Sequence, residues 1–167
     1  MTTRPGGESP PALFGGSIMT TTFVREISLR YRGPKRREAF NPIVSPCEAA
    51  RFIRRVLPDN VREHFVALFL DGKNQVAGFY VVATGTAASC PVATREVFQG
   101  AILAGALSLV VAHNHPAGSV NPSVEDHAVT KRLCEAGSLL GIPVLDHIIV
   151  GTDNFYSFKD SGELPPA

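Results

Sequence analysis

Residues 112–126 read AHNHPAGSVNPSVED, and both the fold and the chemistry turn on how this stretch is read. The run that leads into it, LSLVVA (107–112), suits a strand buried on both faces. His113 and His115 stand two apart at its end, so their side chains leave one face if the extended conformation persists that far. Asn121 then reads as a helix cap and Pro122 as the first helical residue. The helix runs to Gly141, a C′ glycine followed by Pro143. Ser123 and Asp126 are i and i+3 on its first turn, side by side. The intervening PAGSV can fold that turn back over the histidines, gathering His113, His115 and Asp126 around one cation with a serine hydroxyl beside it. Two nitrogens and one oxygen leave one tetrahedral position open for water, as in catalytic rather than structural zinc sites. Each part alone is weak. Histidines near strand ends are often merely hydrogen-bonded, and serine and aspartate are favoured in first helical turns for capping and dipole reasons.

Working outward, Ser45-Pro46-Cys47-Glu48 opens a helix with a capping box and should stop at Leu57, before Pro58. FVALFL (65–70) is a second doubly buried strand. Asp71 to Asn74 turn the chain, and Gln75 to Thr84 return as its hairpin partner. A helix is expected over Arg95 to Ala106, packing through Val97, Phe98, Ala101, Ile102 and Gly105. Residues 142–150 and 155–158 close the domain as strands, and 22–32 alternate as another near the N-terminus. Strands and helices in irregular alternation point to an α/β (α+β) domain, a mixed sheet packed by helices.

The chain has 167 residues, 44% hydrophobic and 19% charged, the balance of a globular domain with a real core. No apolar run approaches the roughly 18 residues of a membrane span, so no membrane contact is expected. The first residues lack the apolar segment of a secretory signal, so a cytoplasmic location is expected. Cys47, Cys90 and Cys134 form no CxxC pair. Residues 25–62 hold ten bases against four acids, and residues 63–167 hold five bases against ten acids. Nucleic acid is one partner such a basic segment could meet, with Lys35, Arg36 and Arg37 as candidate contacts; a solvated surface is the plainer reading.

H-x-H-P…S-x2-D resembles the signature of the JAMM (MPN) metallopeptidases. TREVFQGAI, AHNHPAGSVNPSVED and LLGIPVLDHIIVG closely resemble their RadC-like branch. The resemblance covers 45–163, leaving 1–19 as a disordered tail, 20–44 as an extension of strand and basic loop, and 164–167 as a short tail. It implies the JAMM/MPN fold, similar in architecture to cytidine deaminases, with His113, His115 and Asp126 as Zn2+ ligands. It also implies that Ser123 steadies the reaction intermediate and that an upstream glutamate activates water. Glu63, just before FVALFL, matches that glutamate best; Glu96 in REVF competes. Two departures fall outside the ligand set: Ala93-Thr94 where the family usually has His-Pro, and Pro116-Ala117-Gly118 where it usually has PSG.

The expected activity is zinc-dependent hydrolysis of a peptide or isopeptide bond in a protein substrate. One alternative is a metal-dependent nuclease or a DNA-repair-associated nucleic-acid-binding protein, guided by residues 25–62. Another is a non-catalytic scaffold that binds a partner and uses the metal, if any, for stability. A deaminase site would need H-x-E and a later P-C-x-x-C, and the sequence has neither. Among the other histidines, His127 points about 100° away from Asp126 on a helix, and His64 faces the opposite side of its strand from Glu63. His147, in VLDHIIV, reads as a satisfied core histidine, with orienting a ligand as the alternative.

Overall fold

The computed structural model describes residues 42–85 and 92–166. The expected strand at 22–32, the basic loop with Lys35, Arg36 and Arg37, and Cys90 lie outside the described residues. Helix α1 covers Pro46–Val56, β1 His64–Leu70, β2 Val76–Thr84, α2 Thr94–Leu103 and β3 Ser108–Asn114. Helix α3 covers Val124–Leu140, followed by β4 Val144–Val150 and β5 Phe155–Ser157. The five strands form one sheet in the order β2-β1-β3-β4-β5. All neighbours are antiparallel except β3 and β4, which run parallel because α3 carries the chain back between them.

Both faces of the sheet are covered, which is why β1 and β3 are buried along their full length. On one face Phe65, Ala67, Phe69, Leu109 and Val111 meet Val97, Phe98 and Ala101 of α2 and Val129, Leu133 and Cys134 of α3. On the other, Val66, Leu68, Val110, Ala112 and Ile148 meet Ala49, Ala50, Phe52 and Ile53 of α1. The two-residue alternation thus assigns the side chain of His113 to the α2/α3 face and that of Asn114 to the α1 face.

Helix α1 begins as expected, with Ser45 and Glu48 closing a capping box and Leu57 as the C-cap. Three expectations need correction. Helix α2 ends earlier than Ala106, because Gly105 takes a left-handed φ of 62° and Ala106 N–H returns to Ala101 C=O. As a result Gly105 lies beyond the helix, and Ile102 is 55% exposed rather than packed. Strand β3 sits further along than 107–112 and runs through Asn114, so the condition placed on His113 and His115 is met up to the residue between them. Helix α3 starts not at Pro122 under an Asn121 cap but at Val124, with Ser123 as N-cap. The reason is reciprocity: Ser123 Oγ accepts Asp126 N–H, and Asp126 Oδ2 accepts Ser123 N–H at 2.7 Å. Its other end is at Gly141 as expected, φ 67°.

Candidate metal centre

The end of β3 and the first turn of α3 meet over the α2/α3 face. His113 Nε2 lies 2.9 Å from His115 Nε2 and 3.1 Å from Asp126 Oδ1, and His115 Nε2 is 3.7 Å from Asp126 Oδ2. Among the described residues these three side chains form the group able to hold a metal ion, with their ligand atoms all within 4.8 Å of one another. Asp126 is placed there by the capping box. One carboxylate caps the start of the helix and faces the imidazoles.

The hydrogen bonds behind the cluster fix the tautomers. Thr130, one turn after Asp126, donates its hydroxyl to the Asp126 carbonyl at 2.6 Å. That proton is then committed, so Thr130 Oγ1 accepts from His147 Nδ1, 2.6 Å away. His147 Nε2 is left with a lone pair, which takes the proton on His113 Nδ1 at 2.9 Å. His113 Nε2 is therefore bare. His115 Nδ1 faces the Ser119 carbonyl at 2.8 Å and must carry a hydrogen, so His115 Nε2 is bare as well. Two nitrogen lone pairs and a carboxylate converge with no proton of their own to share. The donor set fits a divalent cation.

Burial pushes the Asp126 carboxyl up, but the close approach of the His113 and His115 rings outweighs it and holds the group well below the usual carboxylate range. The Asp126 carboxylate raises the pKa of His115 against the opposing effect of burial, with smaller upward contributions from the Ser119 carbonyl and the charge of Glu63. Burial drives His147 far down, so it stays neutral at physiological pH, as its double role of donor and acceptor demands. Its ring is clamped between Phe158, stacked at 4.9 Å, and the edge-on Phe65 at 5.5 Å.

Glu63 lies immediately before β1, half-buried, and its charge reaches His115. By alternation it shares the face of Phe65, whose β-partner is His113. Glu96 is exposed on the first turn of α2. Ser123 is exposed, and its hydroxyl donates to Asp126 Oδ2 at 2.7 Å. His64 lies on the far side, its Nδ1 3.0 Å from Thr84 Oγ1 and its Nε2 near Asp59 but out of line for a hydrogen bond. His127 reaches toward Glu163, away from the cluster. His147 is indeed a satisfied core histidine, and one of the partners that satisfies it is a candidate ligand. Sequence reasoning missed Thr130 and Asn114. A threonine one turn after Asp126 and an asparagine inside an apolar strand were the available signals.

A mixed sheet with a His-x-His strand end facing a capped helix defines a class, and the sequence comparisons make it specific. The family model described as RadC-like JAB domain matches residues 43–163, and the chain belongs to that family. It is 43% identical over 130 residues to a UPF0758 protein of Trichlorobacter lovleyi, covering 78% of this chain and 56% of that protein. A UPF0758 protein of Rubrobacter xylanophilus is 41% identical over 150 residues, 89% of this chain and 66% of the relative. One from Desulforamulus reducens is 46% identical over 117 residues, 70% and 52% respectively. The chain thus spans half to two thirds of the length of these relatives. Among the described residues no helix is long and apolar enough to cross a membrane.

Proposed function

We propose that the protein is a zinc-dependent hydrolase of peptide or isopeptide bonds. The observation that carries this reading is the convergence of His113 Nε2, His115 Nε2 and an Asp126 carboxylate oxygen with no shared proton. When bound there, zinc supplies Lewis acidity, acidifying a water and polarising the scissile carbonyl. Glu63 takes the proton of the attacking water and passes it to the leaving amine as the C–N bond breaks. Ser123 Oγ, now donating to Asp126 Oδ2, turns its proton to the developing oxyanion, while Ser123 N–H remains on that carboxylate oxygen. His147 and Thr130 hold His113, and the Ser119 carbonyl holds His115, in the required tautomer throughout.

The test is metal analysis followed by a panel of isopeptide-linked ubiquitin-like fusions, unstructured peptides and single-stranded DNA. About one zinc per chain and metal-dependent amide cleavage are expected. Zinc-dependent cleavage of DNA alone would select the nuclease reading, which the excess of bases in residues 25–62 favours. A metal-free, inactive protein would select the scaffold.

A further inference from the structure

Asn114 is the residue between the two histidines, and its side chain leaves β3 on the face opposite theirs. It is 4% exposed. Its amide is fully used: Nδ2 donates to the Arg62 carbonyl at 2.9 Å, and Oδ1 accepts from His64 N–H at 2.9 Å. Those two groups flank Glu63. In a parallel ladder, one residue's N–H and C=O bond the carbonyl before and the N–H after the residue opposite. Asn114 reproduces that pattern with its side chain, one step beyond the last backbone pairing of β1 with β3, Phe65 with His113. From the other side, Gly85 N–H donates to the Glu63 carbonyl at 2.8 Å. The peptides on both sides of Glu63 are therefore held, although the residue lies outside the strand.

We infer that Asn114 is a positioning residue: its side-chain amide clasps the two peptide groups flanking Glu63 and ties that carboxylate to the strand that carries His113 and His115. The inference rests on the reading of Glu63 as proton acceptor. Among the described residues, the peptide groups on either side of Glu63 are the partners of this carboxamide. An apolar side chain would fill the α1 face of β3 as Val110 and Ala112 do. A carboxamide supplies a donor and an acceptor at the spacing of a peptide, and asparagine and glutamine are the side chains that carry it. Asn114 contributes no ligand atom, so its effect is on where Glu63 stands and not on metal affinity.

The experiment uses the full zinc-loaded chain with Asn114→Ala, Asn114→Asp, Glu63→Gln and the double variant Asn114→Ala/Glu63→Gln. Zinc content should match the parent in all four. In Asn114→Ala, exchange of the His64 amide should accelerate about tenfold or more, because its buried acceptor is gone. The Glu63 carboxyl carbon signal, identified by its loss in Glu63→Gln, should shift, while that of Glu48 stays. On a cleaved substrate of the panel, kcat should fall about 10- to 100-fold with KM little changed, the signature of a misplaced group. Asn114→Asp keeps the acceptor for His64 but sets a carboxylate against the Arg62 carbonyl, so it should protect the His64 amide and still lower kcat. In the Glu63→Gln background, Asn114→Ala should add almost nothing. Unchanged His64 exchange and an unmoved Glu63 signal, loss of zinc, or an equal kcat penalty with and without Glu63 would each overturn the inference. If Glu63→Gln alone turns over like the parent, the assigned role of Glu63 fails instead, and the clasp is decided by the exchange and carboxyl measurements.

Discussion

His147 Nε2 lies 2.9 Å from His113 Nδ1, and both rings are almost wholly buried. A side chain outside the candidate ligand set thereby decides which nitrogen of His113 faces the cluster. Replacing His147 with phenylalanine keeps the stack on Phe158 but leaves the His113 Nδ1–H without its acceptor and Thr130 Oγ1 without its donor. Zinc affinity should fall about 10- to 100-fold, with stoichiometry restored at excess metal. Competition against a chromophoric chelator measures this, and parental affinity would mean the sheet alone orients His113.

His113→Ala and Asp126→Ala should both abolish zinc retention while the fold survives, since the cluster sits on a preformed core. Their stabilities should differ. Asp126→Ala also removes the side-chain acceptor for Ser123 N–H and should cost about 1 kcal/mol from the lost half of the capping box. Metal analysis and denaturant unfolding of the two apo variants check this, and full zinc retention in both would overturn the ligand assignment.

Glu63→Gln should keep zinc and lose activity by about 10²–10⁴-fold. Glu96→Gln should change turnover little, because Glu96 is exposed at the start of α2 and contributes at most a helix-dipole interaction. Rates on one cleaved substrate decide between them; the reverse pattern would transfer the role.

Residues 25–62 carry the nucleic-acid proposal. If that segment binds, neutralising Lys35, Arg36 and Arg37 together should weaken binding and flatten the salt dependence by up to about three units. Fluorescence anisotropy with single- and double-stranded DNA across a salt series measures it. No binding at low salt would remove this proposal and leave the peptidase reading intact.

Asp146, on β4, titrates in the direction opposite to a salt-bridged carboxylate. Burial pushes its pKa up, more than hydrogen bonds from the Ser157 hydroxyl and Lys159 N–H pull it down. A carboxyl raised on folding binds its proton more tightly in the native state. Its contribution is therefore fully present below the unfolded pKa, about 4, and is lost as pH rises through the folded value. Asp146→Asn should flatten this fall when unfolding free energies are compared from pH 3.5 to 7. An unchanged slope would contradict it.

Much of this was legible in the chain. FVALFL and the run before His113 announced doubly buried strands, and Ser45-Pro46-Cys47-Glu48 announced its helix, because these signals are local. Boundaries slipped where two local signals competed. Asn121-Pro122 looks like a helix start, yet the reciprocal Ser123–Asp126 bonds satisfy more free groups and win. At Gly105, helical periodicity gave way to a left-handed backbone. His113, His115 and Asp126 could be named from spacing, whereas the roles of His147, Thr130 and Asn114 depend on non-adjacent strands and a helix meeting, which no spacing reports.

The pairing of Phe65 with His113 is the seam of the molecule. On one side of it stands a hairpin, β1 with β2; on the other, two parallel strands joined by α3. The hairpin forms from neighbours in the chain, whereas the seam, like the β3–β4 pairing, joins strands distant in sequence, the slow kind of contact. Glu63 belongs to one half, His113, His115 and Asp126 to the other. Under the proposed function, activity then depends on that seam being closed. A partly folded chain could gather His113, His115 and Asp126 without Glu63, and a hydrolase built this way would stay idle until the join is made.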